Sequence, residues 1–363
     1  MRRRERSRRE LLRTGKDIAL GTLAGAFGLA PLSCSSEPSA VVSAVKIRND
    51  KIDFAVERAL DLLGGLEALT PGKERILLKP NLVNATVSDT TNREVVRAVA
   101  KLMNKAGKEV LIGEGSACAR GFNMHGDEVC RTKRREILDA MQQFVFDELG
   151  YAELARSLDV ALVNLHCGDM ARVAVSDAFV FDEVTLHREL TEVDLICSIP
   201  MMKTHRLSQV SLGMKNLVGL YPGSVYYSIR RLVHDTASLI DPSGIAPAIV
   251  DMMRANPVGL VVIDGSTAME GQGPFASSGG KLVKTDVVIA GTNALATDMV
   301  ATFIMGFDPS EIPTFHWAHQ AGMRPATLDE IEVRGDTVLR QSFLEPQLVT
   351  WASIRDSFGA REI

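Results

Sequence analysis

The sequence predicts an α/β protein with a mainly parallel, doubly wound sheet, helices on both faces and an antiparallel hairpin insertion. Two observations carry most of this prediction. Short apolar runs typical of buried strands alternate with segments in which apolar residues recur at helical spacing, as in βαβ units. Residues 172–190 interrupt this alternation with the strand-like polarity pattern that predicts the hairpin.

The first half of the chain predicts strands at residues 41–47, 75–83, 109–112 and 160–166. Helical spacing predicts helices at residues 52–63 and 135–158. Between the second and third strands, Thr91 and Glu94 form a capping-box pattern at the start of another helix, which Gly107 ends. Residues 117–134 are a polar break.

The second half continues in the same way. Buried-type strands are predicted at residues 193–199, 258–265 and 286–291, and a last strand at 331–335. Helices are predicted at residues 229–255, 293–305 and 313–320.

An export signal is predicted at the N-terminus. A basic region precedes fifteen apolar or small residues, Ile18 to Leu32, a run that is short for a membrane span and typical of a signal peptide. The segment SRRELL, residues 7–12, has the order of a twin-arginine signal. Leu32-Ser33-Cys34 resembles a lipoprotein signal, with ordinary cleavage nearby as the alternative. We therefore expect export by the twin-arginine machinery to the periplasm or cell envelope, with membrane attachment only through a lipid on Cys34.

These signals divide the chain into a signal peptide at residues 1–34, a Ser/Pro/Ala tether at 35–43 and one α/β domain at 44–363. Two lobes, 44–170 and 171–363, are the alternative. Outside the cytoplasm a disulfide can persist, and Cys118 and Cys130 are the closest pair. Cys197 lies in an apolar strand and is expected in the core. No C-x-x-C motif occurs, so no iron–sulfur cluster or zinc ribbon is predicted.

The charge distribution argues against nucleic-acid binding. The first 34 residues hold eight Lys or Arg and three Asp or Glu, which leaves 33 basic and 42 acidic residues in the remainder. An acidic domain with only 5% aromatic residues lacks both the basic surface and the stacking groups that nucleic acids require.

Polar residues follow several predicted strands, and ligands of open α/β sheets bind at the carboxyl ends of the strands. Lys79 and Asn81 flank a proline at one strand end. The segment Gly113-Glu114-Gly115-Ser116 ends another, although its glycine spacing is neither a dinucleotide fingerprint nor a P-loop. Glu114 and Ser116 are therefore candidate ligand-binding residues, with a tight turn as the alternative.

The strand at 193–199 is followed by the richest group, Lys203, His205, Lys215 and Asn216. In an extended chain Lys203 and His205 share a face. Two lysines suit a carboxylate or phosphate, and their charge lowers the pKa of the histidine. We therefore expect His205 to act as a base or metal ligand, with Lys203 and Lys215 also catalytic. A solvated surface loop is the alternative.

Three carboxylates are candidates for a divalent metal site or an acid pair. Asp264 and Glu270 lie in the glycine-rich segment VVIDGSTAMEGQGP, and Asp298 lies on the helix after VVIAGTN. The alternative is a turn in which Asp264 accepts backbone N–H groups. His316 and His319, spaced by three residues on a helix, are a weaker metal candidate.

The ordered segments LLKPNLV, DLICSIPMMKTH, GMKNLVGLYPG, VVIDGSTAMEGQGP and VVIAGTNALATDMV resemble the domain of unknown function 362 family. The resemblance covers residues 44–335 and implies that His234 also belongs to the family motif. Some relatives carry a four-cysteine cluster module, whose cysteines this chain lacks. The order of histidine, glycine-lysine segment and Pro-Gly also resembles the nickel-pincer lactate racemase family.

Our leading hypothesis is an exported enzyme that acts on a small anionic metabolite. Lys79, Lys203 and Lys215 would hold the anion, and His205 would be the base. The alternatives are a non-catalytic protein that binds a ligand or cofactor at the envelope, a redox or iron–sulfur accessory protein, and a 2-hydroxy-acid racemase-like enzyme.

Overall fold

The computed structural model describes residues 38–126 and 128–363, so the predicted signal at residues 1–34 lies outside the described residues. The strands of the first half are β1 Ala40–Lys46, β2 Arg75–Pro80, β3 Glu109–Glu114, β4 Met124–His125, β5 Glu128–Val129, β6 Ala161–Asn164, β7 Met170–Ala174 and β8 Glu183–His187. Those of the second half are β9 Leu195–Ile199, β10 Met201–His205, β11 Gln209–Ser211, β12 Leu260–Gly271, β13 Gly280–Gly291 and β14 Ile331–Gly335.

The helices of the first half are α1 Ile52–Asp61, α2 Gly65–Leu69, α3 Arg93–Lys105, α4 Arg135–Glu148, α5 Tyr151–Leu158 and α6 Glu189–Glu192. Those of the second half are α7 Gly213–Asn216, α8 Gly223–Tyr226, α9 Arg231–Ala237, α10 Ala246–Ala255, α11 Ala294–Met305, α12 Pro313–Gln320 and α13 Trp351–Ile354. None of the helices in the described part of the chain is both long and apolar enough to cross a bilayer.

One ten-stranded sheet organises residues 38–126 and 128–363. Its main path runs β14-β1-β13-β12-β9-β2-β3-β6, with β10 beside β12 and β11 beside β10. The five strands from β12 to β6 run parallel, whereas β13 is antiparallel to both β12 and β1. The predicted mainly parallel sheet is confirmed, as is the antiparallel hairpin, formed by β7 and β8.

Alternation of side chains along the strands produces two cores, one on each face of the sheet. In β2, Leu77 packs into the cluster that includes α7, α10, α11 and α12, whereas Ile76 and Leu78 pack against α1, α3, α4 and α5. Strand β2 is therefore apolar at consecutive positions because both of its faces are covered, which is typical of doubly wound sheets.

Several boundaries differ from the prediction for local reasons. The helix predicted at 135–158 is broken at Gly150, whose φ is 72°. The helix predicted at 229–255 is two helices, α9 and α10, separated by residues 238–245. The cap of α3 is Asn92, whose side chain accepts the Glu94 N–H, so the prediction of a Thr91 cap is wrong. Strand β1 begins at Ala40, inside the segment assigned to the tether.

Candidate functional site

A pocket lies where β2, β3 and β10 end, and it has a volume of about 130 Å³. That volume is comparable to a cavity that holds a benzene-sized molecule. Because β2 and β3 are adjacent parallel strands and β10 follows β9 directly, their carboxyl ends deliver polar residues to one place. The pocket gathers eight of the candidate residues: Lys79, Asn81, Glu114, Lys203, His205, Lys215, Asn216 and His234.

Lys79 and Glu114 form a buried ion pair, with 2.7 Å between Nζ and Oε1. Lys79 Nζ also donates to Pro80 O and to Asn216 Oδ1, at 2.9 and 3.0 Å. Glu114 accepts the backbone N–H groups of Leu82 and Gly115. Burial lowers the pKa of Lys79, and the Glu114 carboxylate opposes this shift. All three ammonium donors of Lys79 are thus used within the protein.

Asn216 connects this pair to the neighbouring strand. Its Nδ2 donates to Lys79 O at 2.8 Å and to Ser198 Oγ at 3.0 Å. Gly219 lies against the pair so closely that a Cβ there would be 2.7 Å from Lys79 Nζ. Asn216 and Gly219 therefore position the ion pair and leave it no room to move.

Lys203 is held on the other side of the pocket. Its Nζ donates to Asn81 Oδ1 at 2.7 Å and to Asp89 O at 2.8 Å. One of its three N–H groups has no acceptor among the described residues. Burial lowers the pKa of Lys203 to about 8, against the raising influence of the Asp89 and Glu114 carboxylates. Lys203 can therefore offer one donor and a positive charge to a ligand.

Arg230 is a pocket residue that the sequence analysis missed. It has a left-handed φ of 58° and is 3% exposed. Its guanidinium donates to six backbone carbonyls, those of Gly115, Ser116, Val218, Gly219, Tyr221 and Ser228. Arg230 thus ties the loop after β3 to the segment after α7. Nothing in the local sequence distinguishes it from the neighbouring Arg231, because its partners are all backbone atoms.

Like Arg206 and unlike Lys79, Lys203 and Arg230, Lys215 has no side-chain partner among the described residues of the pocket. Its Nζ makes no hydrogen bond or ion pair within residues 38–126 and 128–363, although it is surrounded by Lys203, Arg230 and Lys79. Burial, followed by the charges of those three groups, lowers the pKa of Lys215 to about 7. About half of Lys215 is therefore a neutral amine at neutral pH.

His205 is neutral and offers a donor. Its Nδ1 accepts the Leu207 N–H at 3.1 Å, so the proton of the neutral ring is on Nε2. Burial, aided by the charges of Lys215 and Lys203, lowers the pKa of His205 well below its usual range. The ring therefore offers the pocket an N–H donor, not the base expected from the sequence, because a base at Nε2 would require a proton on the already occupied Nδ1.

His234 has the opposite tautomer. Its Nδ1 lies 2.9 Å from Gly244 O, a group that can only accept, so the lone pair of the neutral ring is on Nε2. The ring stacks on Trp351 with centroids 4.3 Å apart. Burial and the Lys215 charge lower the pKa of His234 to about 3. The two histidines of the pocket are thus one donor and one acceptor.

An apolar wall completes the pocket, and part of it comes from the C-terminal segment. Trp351, Ile354 and Phe358 line the pocket together with Val83, Leu207, Val218, Ile229 and Phe275. Trp351 is anchored because its Nε1 donates to Asp235 Oδ1 at 2.7 Å. Nothing in the local sequence of residues 351–358 indicates this role, because they reach the site only through tertiary packing.

The three carboxylates predicted as a metal site do not line this pocket, and each binds backbone N–H groups. Asp298 accepts from Gly213 and Met214, both at 2.8 Å, and so fixes the start of α7, which carries Lys215. Asp264 accepts from Asn92 N at 2.7 Å and from Ser266. Glu270 accepts from Leu344 N at 2.8 Å.

Within the described residues, no cluster of three or more His, Cys, Asp or Glu side chains could hold a metal ion. The joint metal site expected of Asp264, Glu270 and Asp298 is therefore not formed, because their oxygens serve structural contacts in different places. His316 and His319 likewise use Nε2 on Gln320 and on Pro325 O, respectively.

Ser116 and the cysteines lie outside the pocket lining. Ser116 contributes its N–H to Gln142 and its carbonyl to His166 and Arg230, while its buried Oγ has no partner in the described residues. Cys118 and Cys130, the closest pair of cysteines in the sequence, are buried free thiols, so no disulfide joins them. Cys197 is buried in β9, as expected of a core residue.

Comparison with known proteins identifies similar sequences. The sequence pattern of the family described as Domain of unknown function (DUF362) matches residues 76–303, which is more than half of the chain. A thylakoid-associated protein of Synechocystis sp. is 28% identical over 275 residues, covering 74% of this chain and 75% of that protein. The match to the family pattern includes every polar residue of the pocket discussed above but not Trp351, Ile354 or Phe358.

Among solved structures, the lactate racemase apoprotein from Thermoanaerobacterium thermosaccharolyticum superposes with a TM-score of 0.43 at 11% identity. The superposition covers 74% of this chain and 58% of the racemase, so this chain spans less than two thirds of that protein. A likeness of this extent carries no information about activity.

Proposed function

We propose that this chain, which belongs to the family described as Domain of unknown function (DUF362), is an enzyme. It would bind a small anionic molecule and remove a proton from it. The observation that carries the proposal is Lys215, a partly neutral amine without a protein partner in a pocket with excess positive charge. A general base is most effective when its pKa lies near the working pH.

The charges of the pocket support an anionic ligand. Glu114 neutralises Lys79, whereas four other cations of the pocket have no ion-pair partner among the described residues: Lys203, Arg206, Lys215 and Arg230. An anion that bound between these groups would raise the pKa of Lys215, because it would favour the charged form of the amine. Binding would therefore be accompanied by uptake of a fraction of a proton per chain, and the chains whose Lys215 stays neutral would be able to accept a proton from the ligand.

Each polar group then has a distinct role in the proposal. Lys203 would hold the anion with its remaining N–H, and Lys215 would accept the proton. His205 would donate its Nε2–H to an oxygen of the ligand, which stabilises negative charge that develops there. The apolar wall would exclude water from these groups and so strengthen their interactions with the ligand.

Calorimetry tests the binding step. Phosphate and acetate are titrated into the full chain near pH 8 in two buffers that differ in ionisation enthalpy, which measures the protons taken up. We expect proton uptake by the native protein and by the exposed control Lys105→Met, and its loss in Lys215→Met. Uptake that persists in Lys215→Met would contradict the role of this lysine.

Proton exchange in D₂O tests the chemical step. Small carboxylates with a hydrogen next to the carboxylate or to a carbonyl are incubated with the protein, and the C–H signal is followed by proton NMR. We expect loss of the signal for at least one compound, and no loss with Lys215→Met. If the compounds bind but none of them exchanges its C–H hydrogen, the protein is better described as a non-catalytic ligand-binding protein.

Export by the twin-arginine route is a separate part of the proposal, supported by the SRRELL segment at residues 7–12. The name of the Synechocystis relative associates that protein with thylakoids. Cell fractionation tests the proposal. We expect Arg8→Lys with Arg9→Lys to leave the protein in the cytoplasm, whereas Arg3→Lys with Arg4→Lys, the matched control, should not.

A further inference from the structure

Lys215 is the lysine of the pocket whose amine is free to react with a ligand. Lys79 and Arg230 use all of their donors on fixed protein acceptors, and Lys203 uses two of three. Lys215 uses none within the described residues, and Asp298 fixes the backbone of the short helix that carries it. The backbone that carries the side chain is therefore fixed, and the side-chain nitrogen is available to bind a ligand.

Two neighbouring donors define what that ligand would present to the amine. Lys203 has one N–H available for an anionic oxygen. His205 has its Nε2–H available for a second oxygen that accepts a hydrogen bond. Both residues lie on β10 at alternate positions, so they face the same side. An oxygen anion and a neutral oxygen acceptor on one small molecule match this pair.

We propose that Lys215 is a nucleophile that forms an imine with a small 2-oxo acid, whose carboxylate binds Lys203 and whose carbonyl oxygen accepts the His205 Nε2–H. This inference rests on the anion site of the proposed function and assigns its substrate class. Toward a 2-oxo acid the free amine of Lys215 acts as a nucleophile, and toward an anion without a carbonyl group it remains the base. Amines in apolar pockets beside other cations are suited to such carbonyl chemistry because they are unprotonated at neutral pH. At pH 7 the neutral fraction of Lys215, with a pKa of about 7, exceeds that of an ordinary lysine roughly a thousand-fold.

The step balances without any further reactant. The lone pair of Lys215 Nζ attacks the carbonyl carbon, a C–N bond forms, and the electrons of the C=O bond move to the oxygen, where the His205 N–H stabilises them. Both hydrogens of the amine then leave with that oxygen as water, which produces the C=N bond. His234 Nε2, with its lone pair, can accept a hydrogen bond from the departing water.

Reductive trapping tests the proposal. The full chain is incubated with pyruvate or glyoxylate and sodium cyanoborohydride, which reduces an imine to a stable amine, and the adduct is located by peptide mass spectrometry. We expect one adduct per chain on Lys215, with a labelling rate that rises with pH around pH 7. Lys215→Arg should lose at least about nine-tenths of the labelling, since arginine keeps the charge but is not a nucleophile. Lys105→Arg, the exposed control, should keep it.

Calorimetry with pyruvate and lactate distinguishes the failure of this inference from that of the proposed function. If neither acid binds, the anion site itself is wrong. If pyruvate binds but the adduct is absent, or is found only on exposed lysines, the imine is refuted and the anion site stands. Peptide mapping of the native protein decides the matter even if Lys215→Arg does not fold.

Discussion

The pocket contains two groups of polar residues that differ in how completely the protein satisfies their hydrogen-bonding groups. The saturated cluster comprises Lys79, Glu114, Asn216 and Arg230, whose polar atoms are directed at one another or at backbone carbonyls. The open cluster comprises Lys203, His205, Lys215 and His234, each with an N–H group or a lone pair that has no partner among the described residues. Both clusters are rich in positive charge, so charge alone does not mark a binding group. A group available for binding is marked instead by hydrogen-bonding capacity that the protein leaves unused.

The largest effect should follow from breaking the saturated cluster. Lys79→Met leaves Glu114 buried without its ammonium partner, and removing one member of a buried ion pair costs about 3–5 kcal/mol of unfolding free energy. Urea unfolding followed by circular dichroism measures it, and the exposed control Lys105→Met should stay within about 0.5 kcal/mol of the native protein. A loss as small as that of the control would show that the pair is not structural.

Gly219→Ala should have the next largest effect. A Cβ at this position would be 2.7 Å from Lys79 Nζ and would also collide with the Glu114 carboxylate. We expect a loss of about 1–3 kcal/mol in the same unfolding measurement, because the ion pair has no room to withdraw. If the variant is as stable as the native protein, the pair is more mobile than the structure implies.

Lys215→Met should be stabilising at neutral pH, which is the reverse of Lys79→Met. The pKa of Lys215 is about 7 in the folded protein and near 10.5 in the unfolded chain, so between these values the unfolded chain binds more protons. The cost of burying the charged amine is therefore complete below about pH 7 and disappears as the pH rises toward 10.5. We expect the variant to gain at least about 1 kcal/mol at pH 7, because each unit between the two pKa values corresponds to about 1.4 kcal/mol, and to lose most of this advantage by pH 10. A gain that does not change with pH would contradict the lowered pKa of Lys215.

The smallest effect is the position of the ring proton in His205 and in His234, which we do not expect to change the free energy of unfolding measurably. Nitrogen-15 NMR of the histidine rings should show His205 with its proton on Nε2 and His234 with its proton on Nδ1. Both should remain neutral at pH values at which an exposed histidine is protonated, since their pKa values are lowered by burial. Identical tautomers in the two rings would remove the distinction between a donor and an acceptor in the open cluster.

The strand ends that supply the pocket were predictable from the sequence. Lys79, Glu114 and Lys203 each follow an apolar strand, and the alternation of strands and helices predicts a parallel sheet in which such ends meet. Position at a strand end does not by itself predict a binding residue, as the predicted metal-site carboxylates show. Asp264 also follows apolar residues of a strand, yet its oxygens accept the N–H groups of Asn92 and Ser266, partners that local sequence does not indicate.

The sequence by itself therefore determined the type of fold and the residues at the ends of its strands, because hydrophobic periodicity is a local property of the chain. Only the tertiary structure decided which of these residues are free to bind. It gave Lys79 a complete set of partners from β2, β3 and α7, left Lys215 with none, and brought Arg230 and Trp351 to the pocket from outside the strands. Hydrogen-bond satisfaction depends on which atoms are neighbours in space, and that is settled by packing between distant segments.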